Sequence, residues 1–389
     1  MHCILEMLRC STATLLPLIL VLSFVTVISA DCDNSIVPEL TFRLGGNNLN
    51  WPCEATKNIY SGSGRYIPKS VIATRSQIYR DTAFVAIPRY RAGVPFTLGR
   101  VDLRKGKCSV PIAPYPCWAS QDEGNCQALQ NVVDIYLDRQ STLWVLDTGI
   151  VNNLAQPIKR CSPKVVAIDV PSGKIVKTID LSSLVVSASR LQYLAVDYDK
   201  NGHAFLYIAD AGTRAILVHD CTENKGHRVV LPAAVVAGSN RNDVLYMSLV
   251  RKTDGVNVLY FTYLGAARLF SIKTEQLRQG LGSGAVVDVG PKPDDQPVVL
   301  LGTDNGSSLF FRYKGQSNIM MWNTETCFKP ANFIEVQKGA ECRLATQVMP
   351  GHKRYMWTME SNFHDYITNT VGCGGASMVI HPIIKESHD

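Results

Sequence analysis

The sequence predicts an all-β protein with the architecture of a six-bladed β-propeller. Beyond Ser70, short apolar runs rich in β-branched and aromatic residues alternate with turns marked by Gly, Asn, Asp and Pro. Helical periodicity is almost absent from this region. One strand-like motif also recurs six times, roughly 47 to 63 residues apart. Four antiparallel strands with their turns need about 45–60 residues, so each repeat has the length of one propeller blade.

The repeat is clearest in the middle of the chain. Its six copies, in order, are AFVAIPRY (83–90), TLWVLDTG (142–149), FLYIADAG (205–212), VLYFTYLG (258–265), SLFFRY (308–313) and YMWTMES (355–361). Other strand-like runs are KVVAIDV (164–170), AILVHD (215–220), RLFSI (268–272) and IMMWN (319–323). The principal helical candidate is the short region Leu181–Leu191. No Pro- or Ser-rich linker divides the chain, so we expect one propeller over residues 71–389, preceded by an N-terminal segment at 31–70.

The N-terminus predicts a signal peptide over residues 1–30. An apolar run from Leu15 to Ile28 follows Arg9 and ends in Ser29-Ala30, the pattern of a cleavable secretory leader. A membrane anchor needs about 20 apolar residues, and this run is shorter. We therefore expect a secreted, extracellular protein without a membrane association.

Cysteine content agrees with an oxidising compartment. Of twelve cysteines, Cys3 and Cys10 lie in the leader, which leaves ten, an even number that predicts up to five disulfides. Spacing alone does not determine the pairing. The pairs expected here are Cys32–Cys53, Cys108–Cys117, Cys126–Cys161, Cys221–Cys327 and Cys342–Cys373. No C-x-x-C spacing occurs, which argues against a zinc or thiol-redox site.

Composition and motifs exclude several functions. The net charge is +6 without any long basic run, and the short clusters 88–91 and 159–160 are interpreted as solvated surface, so no nucleic-acid partner is expected. Nucleophile-elbow, P-loop, zincin and dinucleotide-binding motifs are absent, and we expect no cofactor and no metal. The stretch 197–202 resembles half of a calcium loop, but Asn201-Gly202 favours a hairpin turn. Asn305-Gly306-Ser307 is an acceptable N-glycosylation sequon in a turn.

The segment WVLDTG, which ends in Asp147, also resembles the catalytic motif of pepsin-like aspartic proteases. Such an enzyme needs two carboxylates that share one proton. The similar element IADAG places Asp210 only about 63 residues away and has Ala211 where a supporting hydroxyl is required. The internal repeat explains Asp147 and Asp210 more simply, as equivalent positions at strand ends.

Several longer segments resemble the insect Yellow/major royal jelly protein family. They are PRYRAGVPFTLGRVD (88–102), NVVDIYLDRQSTLWVLDTG (131–149), CSPKVVAIDV (161–170), LQYLAVDY (191–198), YIADAGTRAILVHD (207–220) and MWTMESNF (356–363). Within the family, YPCWASQDEGNCQALQ (115–130) and GIVNNLAQPIKRC (149–161) are most similar to the yellow-g branch. The resemblance covers almost all of the chain after about residue 70, and it implies a secreted six-bladed propeller.

The same resemblance implies where a ligand would lie. Amine-binding relatives hold their ligand at one end of the central channel with a Thr, an Asn and an aromatic residue, and the corresponding positions are Thr346, Asn362 and Phe363. Here the aromatic residue follows Asn362 directly and His364 comes next, so the match is imperfect. The alternative is that these are ordinary strand and turn residues.

Three functions remain open from the sequence. The favoured hypothesis is a structural or matrix component of an insect eggshell or cuticle, with other extracellular matrix proteins as partners. A second is a dopachrome-converting enzyme of the melanin pathway, for which Asp147, Asp210 or His364 would supply the acid or base if they face the channel. A third is a binder of catecholamines or indoleamines, in which a carboxylate pairs with the ammonium group and aromatic rings pack on the ligand.

Overall fold

Six four-stranded antiparallel sheets form the six blades of a β-propeller, as the repeat predicted. The computed structural model describes residues 37–104, 109–240, 243–282, 284–293, 296–339, 342–372 and 375–385. The expected leader at residues 1–30 lies outside these ranges. No helix in the described residues is long and apolar enough to cross a membrane.

The strands follow one another blade by blade along the chain. A first strand, β1, spans Phe42–Leu44. Blade 1 contains β2 (Arg75–Tyr79), β3 (Thr82–Ala86), β4 (Leu98–Asp102) and β5 (Ala113–Pro114). Blade 2 contains β6 (Val132–Leu137), β7 (Thr142–Asp147), β10 (Lys164–Asp169) and β11 (Lys174–Asp180), with a two-stranded ribbon of β8 (Ile150–Val151) and β9 (Ile158–Lys159) inserted. Blade 3 contains β12 (Leu191–Tyr198), β13 (Ala204–Asp210), β14 (Ala215–Asp220) and β15 (Lys225–Val230).

The second half of the chain repeats this arrangement. Blade 4 contains β16 (Leu245–Arg251), β17 (Asn257–Tyr263), β18 (Arg268–Lys273) and β19 (Val287–Pro291). Blade 5 contains β20 (Val298–Thr303), β21 (Ser308–Tyr313), β22 (Ile319–Asn323) and β23 (Phe333–Gln337). Blade 6 contains β24 (Leu344–Pro350), β25 (Tyr355–Ser361) and β26 (Met378–Lys385). The α-helices are α1 (Glu54–Gly62), α2 (Thr274–Arg278) and α3 (Phe363–Thr368).

The two ends of the propeller meet in blade 6. Strand β1, from the segment 31–70, pairs antiparallel with β26, with Phe42 opposite Ile380 and Leu44 opposite Met378. The segment expected only to lead into the propeller thus supplies the outermost strand of its last blade. This pairing joins the N-terminal and C-terminal parts of the chain and satisfies the edge of β26, which protects it from pairing with another molecule.

The six sequence repeats correspond to the second strand of each blade, namely β3, β7, β13, β17, β21 and β25. A second strand lies inside its sheet, and both of its faces pack against apolar side chains of neighbouring strands and blades. Burial on both faces favours a continuous apolar run rather than an alternating one. This explains why the second strands carried the clearest repeat signal.

The helix expected at Leu181–Leu191 does not form. The region contains a single 3-10 turn at Ser182–Leu184, and strand β12 begins at Leu191. Leu181 and Leu184 are buried on one side of this turn, in the apolar cluster shared by blades 2 and 3. Two leucines at this spacing suit a single turn as well as a helix, and the β-branched pair that follows disfavours helix propagation.

Only part of the expected disulfide pairing is confirmed. Cys126 and Cys161 are bonded, with their Cα atoms 5.5 Å apart, and they join the loop before β6 to the end of the ribbon. Cys342 is also disulfide-bonded, and its expected partner Cys373 lies outside the described residues.

The pairs Cys32–Cys53, Cys108–Cys117 and Cys221–Cys327 are wrong, because each contains a free thiol. The free thiols are Cys53, Cys117, Cys221 and Cys327. Cys221 is buried at the end of β14 in blade 3, whereas Cys327 is exposed between β22 and β23 in blade 5. A disulfide needs Cα atoms within about 7 Å, and sequence order does not bring residues of different blades that close.

Candidate functional site

The central channel is lined by the first strand of every blade. Strands β2, β6, β12, β16, β20 and β24 surround it, and they contribute residues such as Gln77, Ile135, Ala195, Leu249, Leu301 and Val348. The cavity inside this part of the channel has a volume of about 70 Å³. First strands face the axis because they are the innermost strands of a radial array of sheets.

A buried ion pair occupies the channel wall. Arg75 on β2 is 8% exposed and Asp134 on β6 is 5% exposed, and Arg75 Nε lies 3.5 Å from Asp134 Oδ1. The Asp134 carboxylate also accepts hydrogen bonds from the backbone amides of Ile135 (2.9 Å) and Leu194 (2.8 Å). Arg75 donates a further bond to the Thr346 carbonyl at 2.8 Å. These contacts connect blades 1, 2, 3 and 6, so the pair is part of the framework.

Aromatic rings cover the Arg75 guanidinium. It lies 4.3 Å from the centre of the Tyr193 ring, and the Tyr193 and Tyr246 rings are 5.4 Å apart. Burial raises the pKa of Tyr193 and of Tyr246, and it raises the pKa of Tyr90 to about 12. The phenols therefore stay neutral at physiological pH, and the ring faces attract the arginine cation.

Asp134 lines the channel, and the pKa of its carboxyl is shifted. Burial raises the pKa of Asp134 to about 6, while the charge of Arg75 and the two amide hydrogen bonds lower it in part. An ionised carboxylate loses hydration in this position, and one cation at 3.5 Å does not replace all of it.

We expect ionisation of Asp134 to reduce the stability of the folded protein as the pH rises from about 4 to about 6. The folded-state pKa of about 6 lies above the unfolded-state pKa of about 3.9, so the folded protein still binds this proton where the unfolded chain has released it. This contribution to stability is fully present below the unfolded-state pKa and is lost as the pH passes the folded-state pKa.

Urea unfolding of wild type and Asp134→Asn at several pH values checks this expectation. The difference in unfolding free energy, wild type minus variant, should fall by roughly 2–3 kcal/mol between about pH 4 and about pH 7 and then level off. A difference that stays constant over this range would show that the pKa of Asp134 is not raised in the folded protein.

The residues expected to bind a ligand lie at the mouth where the first strands begin. Thr346 Oγ1 donates to the Met359 carbonyl at 3.2 Å, inside its own sheet. Asn362 donates to Asp365 at 3.1 Å and accepts from the Ser377 amide at 2.8 Å, so its side chain organises the loop around α3. Phe363 packs 5.9 Å from the Tyr90 ring. The polar groups of this trio are engaged in contacts that hold blade 6 together.

Asp147 and Asp210 do not face the channel. Asp147 ends β7, is fully buried, and accepts hydrogen bonds from the amides of Gln130, Asn131 and Gly149 at 2.8–2.9 Å. Asp210 ends β13, is fully buried, and accepts from the Arg190 amide at 2.7 Å. Each carboxylate ties the end of a second strand to the chain just before its first strand, which confirms that the two positions are equivalent and argues against a shared-proton dyad.

His364 also lies away from the channel. It is an exposed residue of α3, with its Nε2 atom 3.5 Å from the Asp365 carboxylate. Within the described residues, no group of three or more His, Cys, Asp or Glu side chains is arranged to hold a metal ion.

The buried charged residues of the channel wall were not singled out from the sequence. A signal was present, since Arg75 and Asp134 are charged residues inside otherwise strand-like segments. A charged side chain in a buried first strand is costly unless it is paired, so it marks a position facing a partner. The partner itself lies in another blade and has no sequence signature.

Comparison with known proteins identifies the family. The family described as "Major royal jelly protein" matches residues 130–381. Major royal jelly protein 1 of Apis mellifera is 25% identical over 302 residues, which cover 72% of this chain and 68% of the relative. Protein yellow of Drosophila simulans is 26% identical over 334 residues, which cover 79% of this chain and 61% of that protein, so the match leaves more than a third of this relative uncovered.

Among solved structures, a luciferin-regenerating enzyme matches with a TM-score of 0.48 and 10% identity, covering 84% of this chain and 95% of that one. A similarity of this size carries no functional argument. The family match, in contrast, includes well over half of the 389 residues and five of the six blades. The chain therefore belongs to the major royal jelly protein family.

Proposed function

We propose that the protein is a secreted, non-enzymatic structural component of an insect extracellular layer, eggshell or cuticle, and that it belongs to the yellow-g branch of its family. The observation that carries this proposal is the narrow centre of the propeller. The channel cavity measures about 70 Å³, whereas small-molecule sites in proteins usually measure about 300–1,000 Å³. Catalysis or ligand binding in the channel would need space that side chains already fill.

The charge of the channel also disfavours an amine ligand. Its wall carries the Arg75 guanidinium beside Asp134. Asp134, the carboxylate that lines this cavity, is already compensated by Arg75 and two backbone amides. An ammonium group would be repelled by the Arg75 cation and would compete with it for Asp134.

Secretion is supported by the leader-like N-terminus and by the bonded cysteines. Disulfides persist in oxidising compartments, and the described residues include the Cys126–Cys161 bond and a bonded Cys342. Partners in such a layer would be other matrix proteins that contact the outer surface of the propeller.

We expect the purified secreted protein to give no calorimetric heat with dopamine or serotonin at about 1 mM and no acceleration of dopachrome loss. The reason is the narrow channel, in which the Asp134 carboxylate already pairs with Arg75. A binder would instead show a heat, and Asn362→Ala would weaken its affinity about 5- to 150-fold, the cost of leaving a polar partner unsatisfied. Turnover of dopachrome that Asp134→Asn abolishes would establish an enzyme.

Localisation supplies the positive test. Antibody staining should place the protein in the insoluble eggshell or cuticle, where it resists extraction by salt and non-ionic detergent. Staining confined to a soluble secretion such as saliva or haemolymph would contradict the matrix role.

A further inference from the structure

The second mouth of the channel is formed by the turns that connect the first and second strands of the blades. These turns lie at the opposite end of the first strands from Thr346 and Phe363. A concave cavity of about 470 Å³ lies there, between the turns of blades 1, 2, 4, 5 and 6. Its volume falls within the range of about 300–1,000 Å³ that is usual for small-molecule sites. A second cavity of about 860 Å³ adjoins it and shares Arg139, Arg251 and Asn305.

Basic side chains dominate the first cavity, which we call the basic mouth. Its cations come from three turns and from the end of strand β16, and they are Arg80, Arg139, Arg251, Lys353 and Arg354. Asp138 is the one carboxylate among the described residues that line it. Positive charge collected in a concave surface focuses the electrostatic field and attracts anions.

The carboxylate of the basic mouth does not neutralise these cations. Asp138 accepts hydrogen bonds from Trp144 Nε1 (2.7 Å) and the Tyr198 hydroxyl (2.5 Å), and its other oxygen accepts from the amides of Gln140 and Thr142. Within the part of the chain that the structure describes, none of the five cations makes an ion pair, whereas nearby Lys252 is paired with Glu325 at 3.6 Å.

Neutral groups hold Arg251 in position. Its guanidinium donates to the Tyr136 hydroxyl at 2.7 Å and to Asn305 Oδ1 at 3.1 Å. Arg139 donates to the Asn305 carbonyl at 3.4 Å. A cation oriented by uncharged partners keeps its full charge and loses little conformational entropy when it binds a ligand.

Three of the cations occupy an unfavourable backbone conformation. Arg80, Lys353 and Arg354 have φ angles of 53°, 59° and 60°, in the left-handed region. Gly or Asn occupies such positions at lower cost. Asn at these places should therefore leave the turns intact.

We propose that the basic mouth binds a small multivalent oxyanion that carries phosphate or sulfate groups. The volume suits a small molecule, and five cations without an ion-pair partner among the described residues suit more than one anionic group. Arginine in particular binds phosphate and sulfate oxygens through paired N–H donors. This site lies at the other end of the channel from the family-implied residues, and it does not depend on the proposed matrix role.

Isothermal titration calorimetry with inorganic pyrophosphate tests the proposal. A parallel titration uses sucrose octasulfate as the ligand that carries sulfate groups. The protein carries Ser307→Ala, which removes the sequon at Asn305 without changing Asn305, because a glycan there would stand in the same mouth. The test variant is Arg80→Asn combined with Arg354→Asn. Asn fits the left-handed conformation, so the melting temperature should stay the same or rise.

The matched control is Arg214→Asn combined with Arg268→Asn. Arg214 also has a left-handed φ (52°), but it lies in the turn between β13 and β14, at the opposite end of the strands. Arg268 lies on β18, paired with Asp288 at 2.6 Å. The control removes the same charge, so a general electrostatic effect would weaken binding equally in both double variants.

The expected result is binding at about 20 mM salt that weakens steeply at about 300 mM salt. The test variant should bind roughly tenfold or more weakly than the background protein, while the control changes by less than about threefold. Displacement of bound pyrophosphate by equal concentrations of inorganic phosphate and inorganic sulfate identifies the preferred group. Absence of heat with both anions at about 1 mM, or equal losses in the test and control variants, would overturn the proposal.

Discussion

Replacing Arg89 by methionine is expected to lower the free energy of unfolding by about 4 kcal/mol, the largest effect of any substitution proposed for this protein. Arg89 is 2% exposed, and its guanidinium donates to five backbone carbonyls. The acceptors are Val94 (3.1 Å), Pro95 (3.1 Å), Gln121 (2.6 Å), Leu129 (3.0 Å) and Gln130 (2.6 Å). Methionine would fill the space but leave these buried carbonyls without a donor.

Equilibrium unfolding in urea measures the loss at Arg89. Arg268→Met is the control, because Arg268 is half-exposed and makes a surface ion pair with Asp288 that is worth about 1 kcal/mol or less. If Arg89→Met lowers the free energy of unfolding no more than the control does, water enters the loops around Arg89 and replaces the guanidinium as the donor to their carbonyls. Far-UV circular dichroism of the folded variant confirms that the sheets are retained.

The substitution Asp147→Asn is expected to lower the unfolding free energy by about 3 kcal/mol without affecting any peptidase activity. The fully buried carboxylate accepts from three backbone amides, and Lys164 Nζ lies 3.7 Å away. In asparagine one oxygen becomes an NH₂ group, which must face a backbone N–H donor. The substitution therefore leaves a backbone N–H without an acceptor and removes the negative charge beside Lys164.

Two comparisons make the Asp147 prediction specific. Asp210→Asn should cost a similar amount, because Asp210 performs the equivalent role at the end of β13 with the Arg190 amide and two hydroxyl donors. Glu223→Gln should change stability by less than about 0.5 kcal/mol, since its side chain is exposed and forms a surface ion pair with Lys225 at 3.8 Å. Loss of a pepstatin-sensitive activity in a folded Asp147→Asn protein would restore the protease hypothesis.

Fold class and blade number were predictable because both depend on local patterns. Each second strand, such as β7 or β13, is an unbroken apolar run that ends in a turn, and six such runs at blade-length spacing suffice to identify the propeller. The hairpin at Asn201-Gly202 was predictable for the same reason, and Gly202 has the expected positive φ of 82°. Local propensity misled at Leu181–Leu191, where leucine spacing compatible with a helix serves a single buried turn.

Exposure of charged residues was not predictable. The cluster at 88–91 was interpreted as solvated surface from its composition, yet Arg89 is buried because loops of two blades surround it with carbonyl oxygens. The predicted pairing of Cys221 with Cys327 was wrong for a similar reason. The distance between these two residues in space depends on the number of blades between them. In both cases the deciding neighbours are distant along the chain.

What the residues determine without any tertiary information is the sequence of strands, their grouping into six blades and the resemblance to a family. What only the folded ring decides is the content of the channel. Arg75 meets the Thr346 carbonyl across 271 residues, and Asp134 accepts from the Leu194 amide across 60. Strand formation follows from side-chain alternation and turn chemistry within a few residues. The channel and the basic mouth arise because closing the ring brings one edge of every blade to a common axis, and no local pattern records which charges meet there.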